Sequence, residues 1–98
     1  MKRLLQATAA LLLAGIAHAQ ISQPTAIRPG DILGPWSETC ITGITVDGVQ
    51  FAIVQPGETL RFPEVPPSFC GLTITICHYV VCGTTVTEQG CDEYTITC

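Results

Sequence analysis

Six cysteines in a short chain, all downstream of an export-type leader, limit the fold more than any other feature of this sequence. The leader opens on the basic Lys2 and Arg3 and continues through an apolar, uncharged run over residues 4–17. Small residues at Ala17 and Ala19 then form a small-x-small cut site, the pattern of a secretory signal. The apolar run is too short, and its far flank too weakly charged, for a spanning helix. Cleavage after Ala19 is expected, which makes residues 1–19 a signal peptide and Gln20 the first mature residue. The product is expected to be secreted and extracellular, with no membrane attachment after cleavage.

Export decides how the thiols read. Cys40, Cys70, Cys77, Cys82, Cys91 and Cys98 are even in number, and an oxidising compartment turns such a set into a disulfide framework. Six cysteines allow fifteen pairings, and sequence alone does not choose among them. A metal site fits less well. Cys77 and His78 are neighbours in an alternating run, so in a strand they point to opposite faces. No C-x-x-C pair occurs, and His78 is the one histidine of the mature chain; structural zinc sites usually carry paired short spacings. His78 therefore reads as a sheet-surface residue, and no metal or other cofactor is expected.

The framework also meets an energetic need. The mature chain would have 79 residues, and a core built from roughly 60 of them is marginal without crosslinks. A bridge closing a loop of about 40 residues contributes about 4 kcal/mol in the chain-entropy model. Charge then excludes several partners. Arg28 and Arg61 are the mature cations against eight acids, a formal charge of −6. Nucleic-acid binding needs a basic footprint, and adhesion to anionic membranes needs one too. The mature chain has no lysine, and the whole chain has no asparagine and hence no N-glycosylation site.

Residues 20–36 hold three prolines and two glycines and show no periodicity. They read as an extended arm with turns. From Cys40 onward short β patterns follow one another. The runs 40–46 and 49–54 flank Asp47-Gly48, a strong two-residue hairpin signal. A Pro56-Gly57 turn precedes a short strand over 58–62, and the prolines of 63–67 exclude that stretch from a central strand. Leu72, Ile74 and Ile76 alternate with Thr73, Thr75 and Cys77. The apolar set should face the core and Cys77 the threonine side, with its partner on a tail or a neighbouring strand. Residues 82–87 read as another strand, 88–92 as a turn and 93–98 as the last strand. The expected fold is all-β: a disulfide-stapled antiparallel sandwich of about six short strands over 37–98, with three strands in each sheet.

No catalytic constellation stands out. Ser22, Ser37 and Ser68 sit in loop-like contexts, and Asp92 and Glu93 would face opposite ways in a strand. The chain reads as a non-enzyme. Candidate partner-binding residues are Trp36, which could instead close the core from its edge, and Glu64, Val65 and Phe69 of the proline-rigid loop. The expected partner is a protein, met by a monomer.

The layout of signal, Pro/Gly arm, even cysteine set and terminal Cys98 resembles the small secreted cysteine-rich effectors of fungi. A narrower likeness is to the MAX effectors and ToxB-like toxins of plant-pathogenic fungi, which are six-stranded sandwiches of about this size. They share a bridge from the start of the first strand to a distant cysteine. Here Cys40 opens the first expected strand and Cys82 lies 42 residues on, so the resemblance implies a Cys40–Cys82 pair. The run Pro56 to Phe62, "PGETLRF", also resembles a Gly-acid-Leu-Arg strand of the ToxB branch. The six cysteines exceed the number common in that family. The resemblance implies a protein that binds a host target during infection. The alternatives are a secreted toxin or antimicrobial protein of the KP6-like class, whose fold needs helices, and a small protease inhibitor acting through residues 63–69.

Overall fold

The computed structural model of the chain describes residues 23–98. The leader, its expected cut after Ala19 and residues 20–22 lie outside them. Seven strands follow in order: β1 (Thr25–Ile27), β2 (Ile32–Leu33), β3 (Ile41–Val46), β4 (Val49–Val54), β5 (Leu60–Arg61), β6 (Thr73–Cys82) and β7 (Thr85–Ile96). A single 3-10 turn, Pro67–Phe69, precedes β6, and the described residues contain no α-helix. The fold is all-β, held by three disulfides.

The strands divide five and two rather than three and three. The larger sheet has the order β1-β7-β6-β3-β4, and β2 pairs with β5 in a separate ladder. All pairings are antiparallel except β1 with β7, which is parallel. The β3–β4 turn forms where Asp-Gly predicts it. Asp47 and Gly48 both take positive φ, 50° and 83°, as a two-residue hairpin of matching twist requires.

Two departures from the expected strands have a common cause in β7. Residues 82–87 are not one strand. β6 runs to Cys82, Gly83 and Thr84 make a tight turn, and β7 begins at Thr85. Residues 88–92, expected as a turn, lie inside β7. Gly90 does not break the strand because it sits opposite His78 in the ladder. A Cβ there would lie 3.0 Å from His78 Cε1, so the imidazole occupies the space that a side chain would use.

The described part of the arm, residues 23–36, is extended as expected, but it is paired. Ile27 is fully buried in the core. The Thr97 amide donates to the Ile27 carbonyl at 2.8 Å, and Gly30 and Asp31 exchange backbone bonds with Phe62 at 2.7 and 2.8 Å. Strands of three and two residues are too short to show alternation, so the composition hid them. The described part of the arm belongs to the same core as residues 37–98.

Ladder registers set the inner face of the large sheet. Thr42, Ile44 and Val46 stand beside Val80, His78 and Ile76. The core is the cluster Ile27, Ile44, Val54, Phe62, Ile74, Ile76 and Ile96, with Leu33 and Leu60 of the small ladder packed against it. Burying such side chains stabilises by about 2 kcal/mol each, which leaves a small core dependent on its crosslinks.

Cys40 is joined to Cys82, Cys70 to Cys98 and Cys77 to Cys91. Cys40 directly precedes β3 and Cys82 ends β6, so their bridge extends the Ile41–Val81 pairing by one rung. Cys77 and Cys91 are register partners on the threonine side, so of the two sources expected for the Cys77 partner, a tail or a neighbouring strand, it is the strand. No cysteine is free, so none is left as a thiolate nucleophile or metal ligand.

Candidate protein-binding groove

Residues 63–72 form one wall of an apolar groove. Pro63, Pro66 and Pro67 fix backbone φ and remove donors that an irregular loop would have to satisfy. The amides of Phe69, Cys70 and Leu72 donate to Pro66, Pro67 and Phe69 at 2.9, 3.1 and 3.1 Å. The Cys70–Cys98 bridge then ties this turn to the chain terminus. Beside it the Gly71 amide donates to the Ile96 carbonyl at 2.7 Å, and Ile96 donates back to Leu72 at 2.9 Å. A stiff loop thus presents Phe69 and Leu72 at 43% and 50% exposure.

The opposite wall comes from an irregularity in β4. Ile44 pairs with Ala52 but Thr45 pairs with Gln50, so Phe51 is the extra residue of a β-bulge. Phe51 is 41% exposed and faces the loop across a space of about 390 Å³. Phe62, Ile74 and Ile96 form the floor, Val46, Pro63 and Val65 complete the walls, and Asp47 is the one charged residue at the lining. Solvated aromatic and aliphatic side chains on a rigid frame suit an apolar ligand group, because their burial releases ordered water without a large entropic cost of ordering.

The four candidate binding residues do not converge. Val65 and Phe69 line the groove. Glu64 lies beside it, on a shallower depression shared with Arg28 and Pro29. Trp36 is elsewhere: half-buried, it stacks on His78 with ring centroids 6.1 Å apart and planes 29° apart. Its role is to cover the inner face. Gly34 accommodates the indole, since a Cβ there would lie 2.8 Å from the ring and its φ is 85°. His78 is accordingly not a sheet-surface residue. Its side chain is 15% exposed and its Nε2 lies 3.4 Å from Glu88 Oε2.

Phe51 and Leu72 were not among the expected site residues. Leu72 shares the alternation of Ile74 and Ile76 and so reads as core, but β6 begins only at Thr73 and Leu72 remains on the rim. Three prolines next to an exposed aromatic were the available signal for this wall, whereas nothing in the sequence announces the bulge.

A wider, polar trough of about 570 Å³ lies where β1 meets β7, lined by Thr25, Asp92, Glu93 and Tyr94 among others. Burial, then the charge of Asp92, raises the Tyr94 phenol above its ordinary value.

Fold and groove together define a small disulfide-framed all-β protein, whose three bridges suit an oxidising compartment. No helix of the described residues is long and apolar enough to cross a membrane. No protein-family model, curated protein or solved structure matches the chain.

Proposed function

We propose that this chain is a secreted, non-catalytic recognition module that binds a host protein during fungal infection. The observation that carries the binding reading is the groove, where Phe51, Phe69 and Leu72 stand exposed around a buried apolar floor. Exposed apolar side chains grouped on a rigid rim mark interaction surfaces more often than isolated ones do. The open edge of β4 runs beside the groove and offers main-chain hydrogen bonds to an added strand. The effector reading rests on the resemblance in leader, arm and cysteine layout, to which the Cys40–Cys82 pairing adds support.

The test is comparative. Disulfide-intact protein is immobilised and exposed to extracellular fluid and extract of a susceptible host, beside a Phe69→Ser/Leu72→Ser variant with all three bridges verified by mass spectrometry. The expected result is a host protein retained by the parent, lost by the variant, and bound directly when purified. Retention that does not distinguish the two surfaces would overturn the groove as the binding site. Absence of any directly binding host protein would overturn the module reading itself.

A further inference from the structure

Among the described residues the large sheet has two uncovered edges, and they differ in chemistry. Among the described residues β1 pairs with β7 only at Tyr94 to Ile96, which leaves β7 open there from Thr85 to Glu93. That stretch carries Glu88, Asp92 and Glu93, the charges that keep edges from pairing. β4 pairs with β3 alone. Its six residues hold no charge and no proline, and Val49 and Ile53 are 68% and 59% exposed. The Gln50 side-chain amide donates to the Ala52 carbonyl at 3.4 Å, the type of bond that an added strand would supply.

Charge identifies what fits there. β4 ends in a turn over residues 55–58. The Gln55 amide donates to Glu58 Oε1 at 3.3 Å, which holds one carboxylate at the end of the strand. A Cβ on Gly57 would lie 3.2 Å from Glu38 Oε1, so a second carboxylate sits on the same turn. Neither is paired with an arginine among the described residues. Two arginines against eight acids make a second copy of the mature chain a poor source of the missing cation. It has no lysine, Arg28 follows β1, and Arg61 sits in β5, where its guanidinium reaches the Gly30 carbonyl.

We propose that the β4 edge takes an extended, uncharged segment of a partner protein whose flanking Lys or Arg settles against Glu38 and Glu58. Main-chain bonds along β4 supply affinity without strong sequence demand. The carboxylate pair selects the partner's charge and sets which end of its segment meets the 55–58 turn. This inference rests on the module reading but can fail separately from it.

The experiment pans short random peptides against the immobilised, disulfide-intact protein. Enriched peptides are expected to share a β-branched or aromatic core with Lys or Arg at one end. Their binding should protect the Val49–Val54 amides from hydrogen exchange. The variant Glu38→Gln/Glu58→Gln keeps the Gln55 contact through its carboxamide oxygen, and it should weaken binding about three- to tenfold and flatten the salt dependence. Peptides without a cation, or protection confined to the Phe69–Leu72 wall, would overturn the edge proposal and leave the module reading standing. A salt-insensitive dimer with β4 protected would overturn it in favour of a second copy. Failure to enrich any peptide or to retain any host protein would remove both.

Discussion

Gly90 lies against the ring of His78, close enough that a methyl group in its place would meet Cε1 at 3.0 Å. Trp36 stacks on the same imidazole, so the ring has little room to withdraw. Gly90→Ala should therefore cost about 1–2 kcal/mol, as overpacking of a filled site does. His78→Ala in the same chain should restore part of the loss. Urea titrations followed by Trp36 fluorescence, run as a double-mutant cycle, measure both. Additive costs would show that the two residues do not press on each other.

The three bridges close loops of different length, with separations of 42, 28 and 14 residues. Replacing each pair by serine should destabilise by about 4 kcal/mol for Cys40–Cys82, down to about 3 kcal/mol for Cys77–Cys91. Removal of Cys70–Cys98 should also release the groove wall, with faster hydrogen exchange at Phe69 and Leu72 while the β6–β7 ladder stays protected. Denaturant midpoints and exchange mapped by mass spectrometry separate the two effects. A reversed order among the bridges would mean that native-state strain, not loop closure, governs their contribution.

Local patterns were legible in the sequence where a few adjacent residues determine the geometry. Asp47-Gly48 announces its turn because both positions need positive φ, and Ile74 and Ile76 announce their face by alternation. The misreadings arise where a distant residue decides. Gly90 looks like a turn until His78 is opposite it. Thr25 to Ile27 looks like coil until β7 offers a parallel partner. The groove joins Phe51 to Phe69 and Leu72 through a bulge and a bridge between Cys70 and Cys98, and neither has a sequence signature.

Absence of lysine downstream of the leader yields a chemical prediction. If the leader is removed after Ala19, the one primary amine of the mature protein is the α-amine of Gln20. An N-terminal glutamine can cyclise, its amine attacking the side-chain amide carbon with loss of ammonia. The cleaved and cyclised chain should then resist amine-reactive labelling entirely, and its intact mass should correspond to residues 20–98 less ammonia and the hydrogens of three disulfides. Labelling at Gln20 would mean that the glutamine had not cyclised, labelling at any other N-terminus would place the cut elsewhere, and labelling at Lys2 would mean a retained leader.

Tyr94 makes the alkaline behaviour of the fold predictable in sign. Its phenol is raised above the ordinary value by burial and then by the charge of Asp92. In the unfolded chain the same phenol ionises at about pH 10. Above that pH the unfolded state has released a proton that the folded state still holds, so unfolding gains. The contribution is fully present below the unfolded value and is lost as pH rises through the folded one. Urea midpoints should therefore fall from about pH 10 upward, and Tyr94→Phe should flatten that fall. Asp92→Asn should bring Tyr94 ionisation, read as tyrosinate absorbance, to lower pH by a smaller step, because burial is the larger cause. A variant Tyr94→Phe whose alkaline stability follows the parent would show that another group governs the loss.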